Sequence, residues 1–299
     1  MNILNIEHIS KIYGEKVIFD DVSLGIHSGD KIGVIGVNGT GKTTLLKIIA
    51  KINEPDKGQI ICGNGIRVSY LPQNPEFPKK QSILEYVMDG KEHQDWKTES
   101  EAKTILTKLG IYDFDEGCDH LSGGQKKRVA LARTLVDPTE VLILDEPMVG
   151  LDPQQIIEVR DLILDLKQSH TVILSSHILP EIQSVCDRVV VLNEGSLVAD
   201  DTPEHLSAKL SAASRLRLRV AAPAESVIQL LKTIRDVETV TQQNPQEPGC
   251  CELLIEAAQG SDIRRAVFCR LSERQYPILY MALEEMTLES IFLSLTGNG

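Results

Sequence analysis

Residues 31–44 read Lys31-Ile32-Gly33-Val34-Ile35-Gly36-Val37-Asn38-Gly39-Thr40-Gly41-Lys42-Thr43-Thr44, an apolar run that passes into G-x-x-x-x-G-K-T and then into a helical pattern. Strand, glycine-rich turn and helix in that order form a phosphate-binding loop. Gly36, Gly39 and Gly41 free the backbone to turn its N–H groups inward on a nucleotide's phosphates, and the positive end of the following helix assists. Asn38, Thr40 and Thr44 fall within the same contact set. Lys42 places a point charge at the γ-phosphate, and the Thr43 hydroxyl is suited to ligate Mg²⁺.

The surrounding pattern fits this loop. Short apolar runs alternate with helical stretches up to about residue 204, as expected of α/β units on a parallel sheet. Lys31–Ile35, Val141–Leu144, Thr171–Leu174 and Arg188–Leu192 are too short for helices and rich in β-branched residues or leucine, which predicts strands covered on both faces. Ile3–Ile9 and Val17–Ile26 predict antiparallel strands, and Gln81–Leu109 a charged helical insert. The run Val141-Leu142-Ile143-Leu144 ends in Asp145-Glu146, two acids where a nucleotide site in such a sheet needs them. Paired with the phosphate loop, Asp145 is assigned to the Mg²⁺ shell and Glu146 to polarising an attacking water.

Composition narrows the field. The 299 residues carry 31 Lys+Arg against 43 Asp+Glu, a net charge of −12, which disfavours binding to nucleic acid or to anionic lipid. No apolar run approaches the ~20 residues of a spanning helix. The amino terminus MNILNIEHISKIYG has no basic n-region followed by an apolar h-region, so secretion is not expected. The six cysteines form no C-x-x-C pair and have no histidine at ligand spacing, so they read as free thiols.

Between the loop and the acids stands Leu121-Ser122-Gly123-Gly124-Gln125, followed by KKRVALARTL. With this pentapeptide in this order, residues Met1–Glu204 resemble the ATP-binding cassette (ABC) ATPases. The resemblance implies an α/β P-loop NTPase of RecA-like type, with an antiparallel β subdomain and a helical subdomain. It implies ATP and Mg²⁺ as ligands, and contacts to the nucleotide from Ser122, Gly123, Gly124 and Gln125 across a dimer. Gln73 in YLPQ resembles the loop glutamine that reaches Mg²⁺ and the nucleophilic water, and His177 in LSSH the switch histidine at the γ-phosphate. Asp152 lies in the loop Gly150-Leu151-Asp152-Pro153, which in the family couples the two sites, and Tyr13 matches the aromatic residue on which adenine stacks. Val37 and Thr40 stand where proline and alanine are frequent, and Met148 where threonine is; none removes a group that touches phosphate, metal or water.

One motif set per chain implies a second cassette subunit, a homodimer being the simplest arrangement. The absence of a spanning helix implies a separate polytopic permease that holds the chain at the cytoplasmic face of the membrane. A composition shift after Asp200 places a linker at Leu206–Ser214, dividing a cassette at 1–205 from a domain at 215–299. The last 85 residues predict strand, helix, strand, strand, helix, strand, the βαββαβ order of a ferredoxin-like α+β module, then a helix at Leu288–Leu295. Arg215, Arg217 and Arg219 alternate onto one strand face, either solvated or docked on an acidic partner. The ending MTLESIFLSLTG resembles the tail of ATP-binding subunits of ABC-2 type exporters. An importer subunit and a non-transport ABC ATPase are the alternatives.

Overall fold

The structure, a computed structural model, describes residues 1–91, 95–136, 138–166, 170–210, 213–244, 247, 249–258, 261–284, 292 and 296. The chain divides into two compact units, Met1–Pro203 and Glu204–Gly299.

In the first unit, β1 (Asn2–Tyr13) and β2 (Lys16–His27) form a long hairpin, and β3 (Lys31–Gly36) leads through the phosphate loop into α1 (Lys42–Ile49). Strands β4 (Lys57–Cys62) and β5 (Val68–Leu71) follow. The helices α2 (Ile83–Met88) and α3 (Trp96–Lys108) lie in the stretch where the charged pattern predicts helix, and they pack on each other and on α4 (Gly123–Val136). The remainder is β6 (Val141–Asp145), α5 (Pro153–Asp165), β7 (Thr171–Ser175), α6 (Leu179–Val185), β8 (Arg188–Asn193) and β9 (Ser196–Asp201).

These strands form two sheets. An antiparallel sheet has the order β2-β1-β4, and a six-stranded sheet the order β5-β6-β7-β3-β8-β9, parallel except for its edge strand β9. Every residue of β3, β6 and β7 is buried, which is why these strands read as continuous apolar runs rather than as alternations. The parallel arrangement sends their carboxyl ends to one edge of the sheet. The phosphate loop, the acidic pair and the loop bearing His177 therefore leave the sheet side by side.

The helix α7 (Pro203–Leu210) begins on the last residue of the first unit and otherwise belongs to the second, followed by β10 (Ala213–Val220), α8 (Ala224–Leu231), β11 (Val237–Gln243), β12 (Cys251–Ala258), α9 (Arg264–Glu273) and β13 (Ile278–Glu284). Its four strands are all antiparallel in the order β11-β12-β10-β13. Leu216, Leu218 and Val220 of β10 form a core with Leu253 and Ile255 of β12, Val227 and Leu231 of α8, and Val267 and Leu271 of α9. Most of the stretch read as linker, 206–214, belongs instead to the end of α7 and the start of β10. The helix expected at Leu288–Leu295 lies outside the described residues.

The alternating arginines find partners within their own sheet. Arg215 pairs with Glu256 at 3.1 Å, Arg217 with Glu252 at 3.1 Å, and Arg219 with Glu247 at 2.8 Å and Glu252 at 3.4 Å. Burial pushes the Glu252 carboxyl up, but Arg219 and Arg217 outweigh it and hold the group below its ordinary range. Cross-strand pairing thus accounts for the arginine face without an external partner.

Candidate functional site

The site begins with the phosphate loop. Lys42 is buried, and its Nζ donates to the carbonyls of Gly36 at 2.8 Å and Val37 at 3.4 Å, so the side chain folds back over the loop. Burial lowers its pKa, while Glu146 and Asp145 oppose the shift by favouring the ammonium. Thr40 closes the turn, with its hydroxyl donating to the Val37 carbonyl at 2.8 Å. Thr43 and Thr44 stand in the first turn of α1, and Asn38 and Gly39 are exposed at the tip of the loop.

Gly41 is required twice over. Its φ of +100° lies in the left-handed region, and a Cβ built there would sit 2.5 Å from Ile18 Cγ2 and 2.8 Å from Phe19 Cζ. Gly41→Ala is therefore expected to cost about 1–3 kcal/mol of stability by overpacking alone. It should also weaken ATP binding; thermal melts paired with nucleotide titration check both. A variant with wild-type melting and affinity would show that the loop tolerates what this packing forbids.

The acids stand at the end of β6. Asp145 is fully buried, accepting from Ser175 Oγ at 2.6 Å and from Tyr70 OH at 3.2 Å. Glu146 adopts a positive φ of 49°, and its N–H donates to the same Ser175 hydroxyl at 3.0 Å. One serine on the neighbouring strand thus orients both acids. The Glu146 carboxylate accepts from Gln73 Nε2 at 2.6 Å on one oxygen and meets His177 Nδ1 at 3.2 Å on the other. Gln73, Glu146 and His177, which lie far apart in sequence, meet here as a hydrogen-bonded trio. Two contacts on two oxygens leave lone pairs free to accept a proton.

Sequence reasoning missed the supporting residues. Ser175 is visible in LSSH, but nothing local says which carboxylate it meets. Tyr70 sits beside Gln73 in SYLPQ; burial, and after it the charge and hydrogen bond of Asp145, push its phenol pKa up, so it stays a donor. Lys127 of α4 donates to the Val149 carbonyl at 2.9 Å, and burial lowers its pKa against the pull of Glu146, Asp145 and Glu181. Glu181, raised by burial, accepts from Ser176 Oγ at 2.8 Å. That hydroxyl also receives the Ile178 N–H at 3.0 Å, fixing the turn that carries His177.

The remaining candidates lie in other surroundings. Ser122 and Gln125 cap α4 reciprocally: Ser122 N–H donates to Gln125 Oε1 at 2.9 Å, and Gln125 N–H to Ser122 Oγ at 3.3 Å. Ser122 and Gly123 are exposed, and no hydrogen bond among the described residues joins Ser122–Gln125 to the phosphate loop. Asp152 caps α5 by accepting from the Gln155 N–H at 2.9 Å. Tyr13 lies at the end of β1, 48% exposed.

The residues that could hold Mg²⁺ offer a hydroxyl, a carboxylate and an amide oxygen, from Thr43, Asp145 and Gln73. This all-oxygen set suits a hard cation. Asp145 is oriented for the role by two hydroxyls that donate to it, one on each carboxylate oxygen.

A family model described as "ABC transporter" matches residues 19–149. The linearmycin resistance ATP-binding protein LnrL of Bacillus subtilis is 26% identical over 99% of this chain and 98% of its own length. The Nod factor export ATP-binding protein I of Burkholderia orbicola is 30% identical over 68% of this chain and 72% of its own. The uncharacterized ABC transporter ATP-binding protein YfmR of Bacillus subtilis is 34% identical over 66% of this chain, which spans only 37% of YfmR's length. Among solved structures, a nucleotide-free ATP-binding cassette from an ABC transporter matches 71% of this chain and 96% of its own, with 26% identity and a TM-score of 0.62.

Proposed function

This chain belongs to the ATP-binding proteins of ABC transporters, and from that premise we propose that it hydrolyses ATP to drive a separate membrane subunit, in an exporter of the ABC-2 type. The observation that carries the chemistry is Glu146, held between Gln73 at 2.6 Å and His177 at 3.2 Å at the mouth of a phosphate loop. Glu146 takes the proton of a water as its oxygen attacks the γ-phosphorus. The bond from that phosphorus to the β,γ-bridging oxygen breaks, giving ADP and phosphate. Lys42 and the loop N–H groups stabilise charge on the phosphates. Thr43 and Asp145, with Gln73 beside them, would hold Mg²⁺, which when bound would supply charge neutralisation for the phosphates. His177 orients Glu146 and faces the γ-phosphate.

One motif set per chain leaves Ser122, Gly123, Gly124 and Gln125 to contact ATP in a second cassette subunit. Asp152 lies in the loop between the two sites, and Tyr13 stacks on adenine. ATP then bridges Lys42 of one copy and Ser122 of the other, and hydrolysis removes that bridge, so the dimer closes and reopens.

Among the described residues no helix is long and apolar enough to cross a membrane, so the load is placed on a polytopic partner at the cytoplasmic face. Export is supported by the Nod factor export relative and by the end-to-end match to LnrL, which includes the second unit. We read that unit as a ferredoxin-like accessory domain at 215–299, supported by its βαββαβ order and antiparallel sheet β11-β12-β10-β13. Tagging the chain, extracting membranes in mild detergent and identifying what copurifies tests the assignment. A polytopic membrane protein is the expected companion, and consistent recovery of soluble proteins alone would overturn the transport role.

A further inference from the structure

The end of β1 that bears Tyr13 is fastened to the turn that follows α1, the helix growing out of the phosphate loop. Lys11 Nζ donates to Asp56 Oδ1 at 2.8 Å and to the Glu54 carbonyl at 2.8 Å, and lies 5.6 Å from the centre of the Tyr13 ring. The other Asp56 oxygen accepts the Ile12 N–H at 2.7 Å. Asn53 Nδ2 donates to Tyr13 OH at 3.3 Å. At the far side of the hairpin, Lys16 Nζ donates to the carbonyl of Gly39 at 3.3 Å, on the phosphate loop itself.

These contacts follow a pattern. The half-exposed aromatic ring is held at its hydroxyl by Asn53, along one face by Lys11 of its own strand and through its neighbouring backbone by Asp56, and Lys11 is itself anchored to Glu54 and Asp56 in the segment continuous with α1. The hydrogen bond from Lys11 is the largest influence lowering the Asp56 pKa, so the pair is ionised at neutral pH. Ion pairs at a protein surface usually stabilise a fold little, so a pair with further hydrogen bonds to the Glu54 carbonyl and the Ile12 N–H, beside a binding aromatic residue, calls for another explanation.

We propose that Lys11, Asn53 and Asp56 are positioning residues for the nucleotide base: they fix the Tyr13 ring relative to the phosphate loop and thereby set the distance between base and phosphate subsites. The inference rests on the reading of Tyr13 as the base-stacking residue. With its face and hydroxyl fixed before ligand arrives, the ring loses little freedom when a base stacks on it. Base–aromatic stacking tolerates any base but depends on ring placement. Loosening these ties should therefore weaken nucleotides and leave a ligand without a base unaffected.

The test compares Mg·ATP with Mg·tripolyphosphate, titrated into the full-length chain and its Lys11→Met, Asp56→Ala and Tyr13→Ala variants. Lys11→Met keeps the apolar stem, so it guards against a folding artefact in Asp56→Ala. Removing the ring in Tyr13→Ala should weaken ATP by about 5- to 150-fold, the range of one stacked base, without changing tripolyphosphate affinity. Lys11→Met and Asp56→Ala should lose part of that, about fivefold, again for ATP alone. Equal losses for both ligands, or no loss, in Lys11→Met and Asp56→Ala would overturn the positioning role. If Tyr13→Ala itself leaves the ratio of the two affinities unchanged, the stacking role of Tyr13 falls, and the positioning role with it.

Discussion

Glu146→Gln is expected to bind ATP, hydrolyse it about 10²–10⁴-fold more slowly than the wild type, the usual contribution of a positioned general base, and accumulate as an ATP-bound dimer. The geometry makes this substitution informative. Glutamine keeps the length of the side chain and an oxygen to accept from Gln73, and its backbone N–H still meets Ser175. What disappears is the capacity to take a proton. Binding should therefore survive while chemistry stops, and because closure depends on the γ-phosphate, the closed dimer should persist. Single-turnover phosphate release and sizing chromatography with and without ATP measure the two effects. Wild-type turnover in the variant would remove Glu146 from the role of base.

Lys42→Ala should have the next largest effect. A buried ammonium costs free energy to keep charged, and in this chain burial lowers its pKa despite two carboxylates nearby. Its neighbours Gly36 and Val37 give it only carbonyls to satisfy, at 2.8 and 3.4 Å, and an anionic ligand offers a stronger partner. A hydrogen bond to a charged group is worth about 1.5–3 kcal/mol, so its removal should weaken ATP by about 10- to 150-fold. Removing a buried charge also relieves a desolvation cost, so melting temperature should change much less than affinity. Calorimetric titration of Mg·ATP, read beside a thermal melt, separates the two. Unchanged affinity would count against the phosphate loop.

Legibility in the sequence followed the range of the interactions. The phosphate loop was readable because its chemistry is local: the glycines, Lys42 and Thr43 lie within eight residues of one another. The buried strands were readable because each is covered on both faces and so carries an unbroken apolar run. Gln73, Glu146 and His177 could be named singly, but their meeting depends on the strand order β5-β6-β7, which no local pattern states. Ser175 was missed for the same reason, since its role arises from a register that sets it beside Asp145.

The arginine alternation predicted a face but not its partners, because Glu252 and Glu256 lie on a strand that pairs only after the intervening α8 and β11 are placed. The stretch after Asp200 misled by composition. Its serines suggested a linker, yet Pro203 is suited to the first turn of a helix, and Glu204, Leu206, Ala208, Lys209 and Leu210 are good helix formers.

The central claim is that Glu146 acts at an ATP site completed only when two cassettes meet. Phosphate release from Mg·ATP, measured across a wide range of chain concentrations for the wild type and Glu146→Gln, tests it most directly. Specific activity should rise with concentration to a plateau in the wild type and stay near background in the variant at every concentration. A specific activity that is independent of chain concentration and survives Glu146→Gln would contradict it.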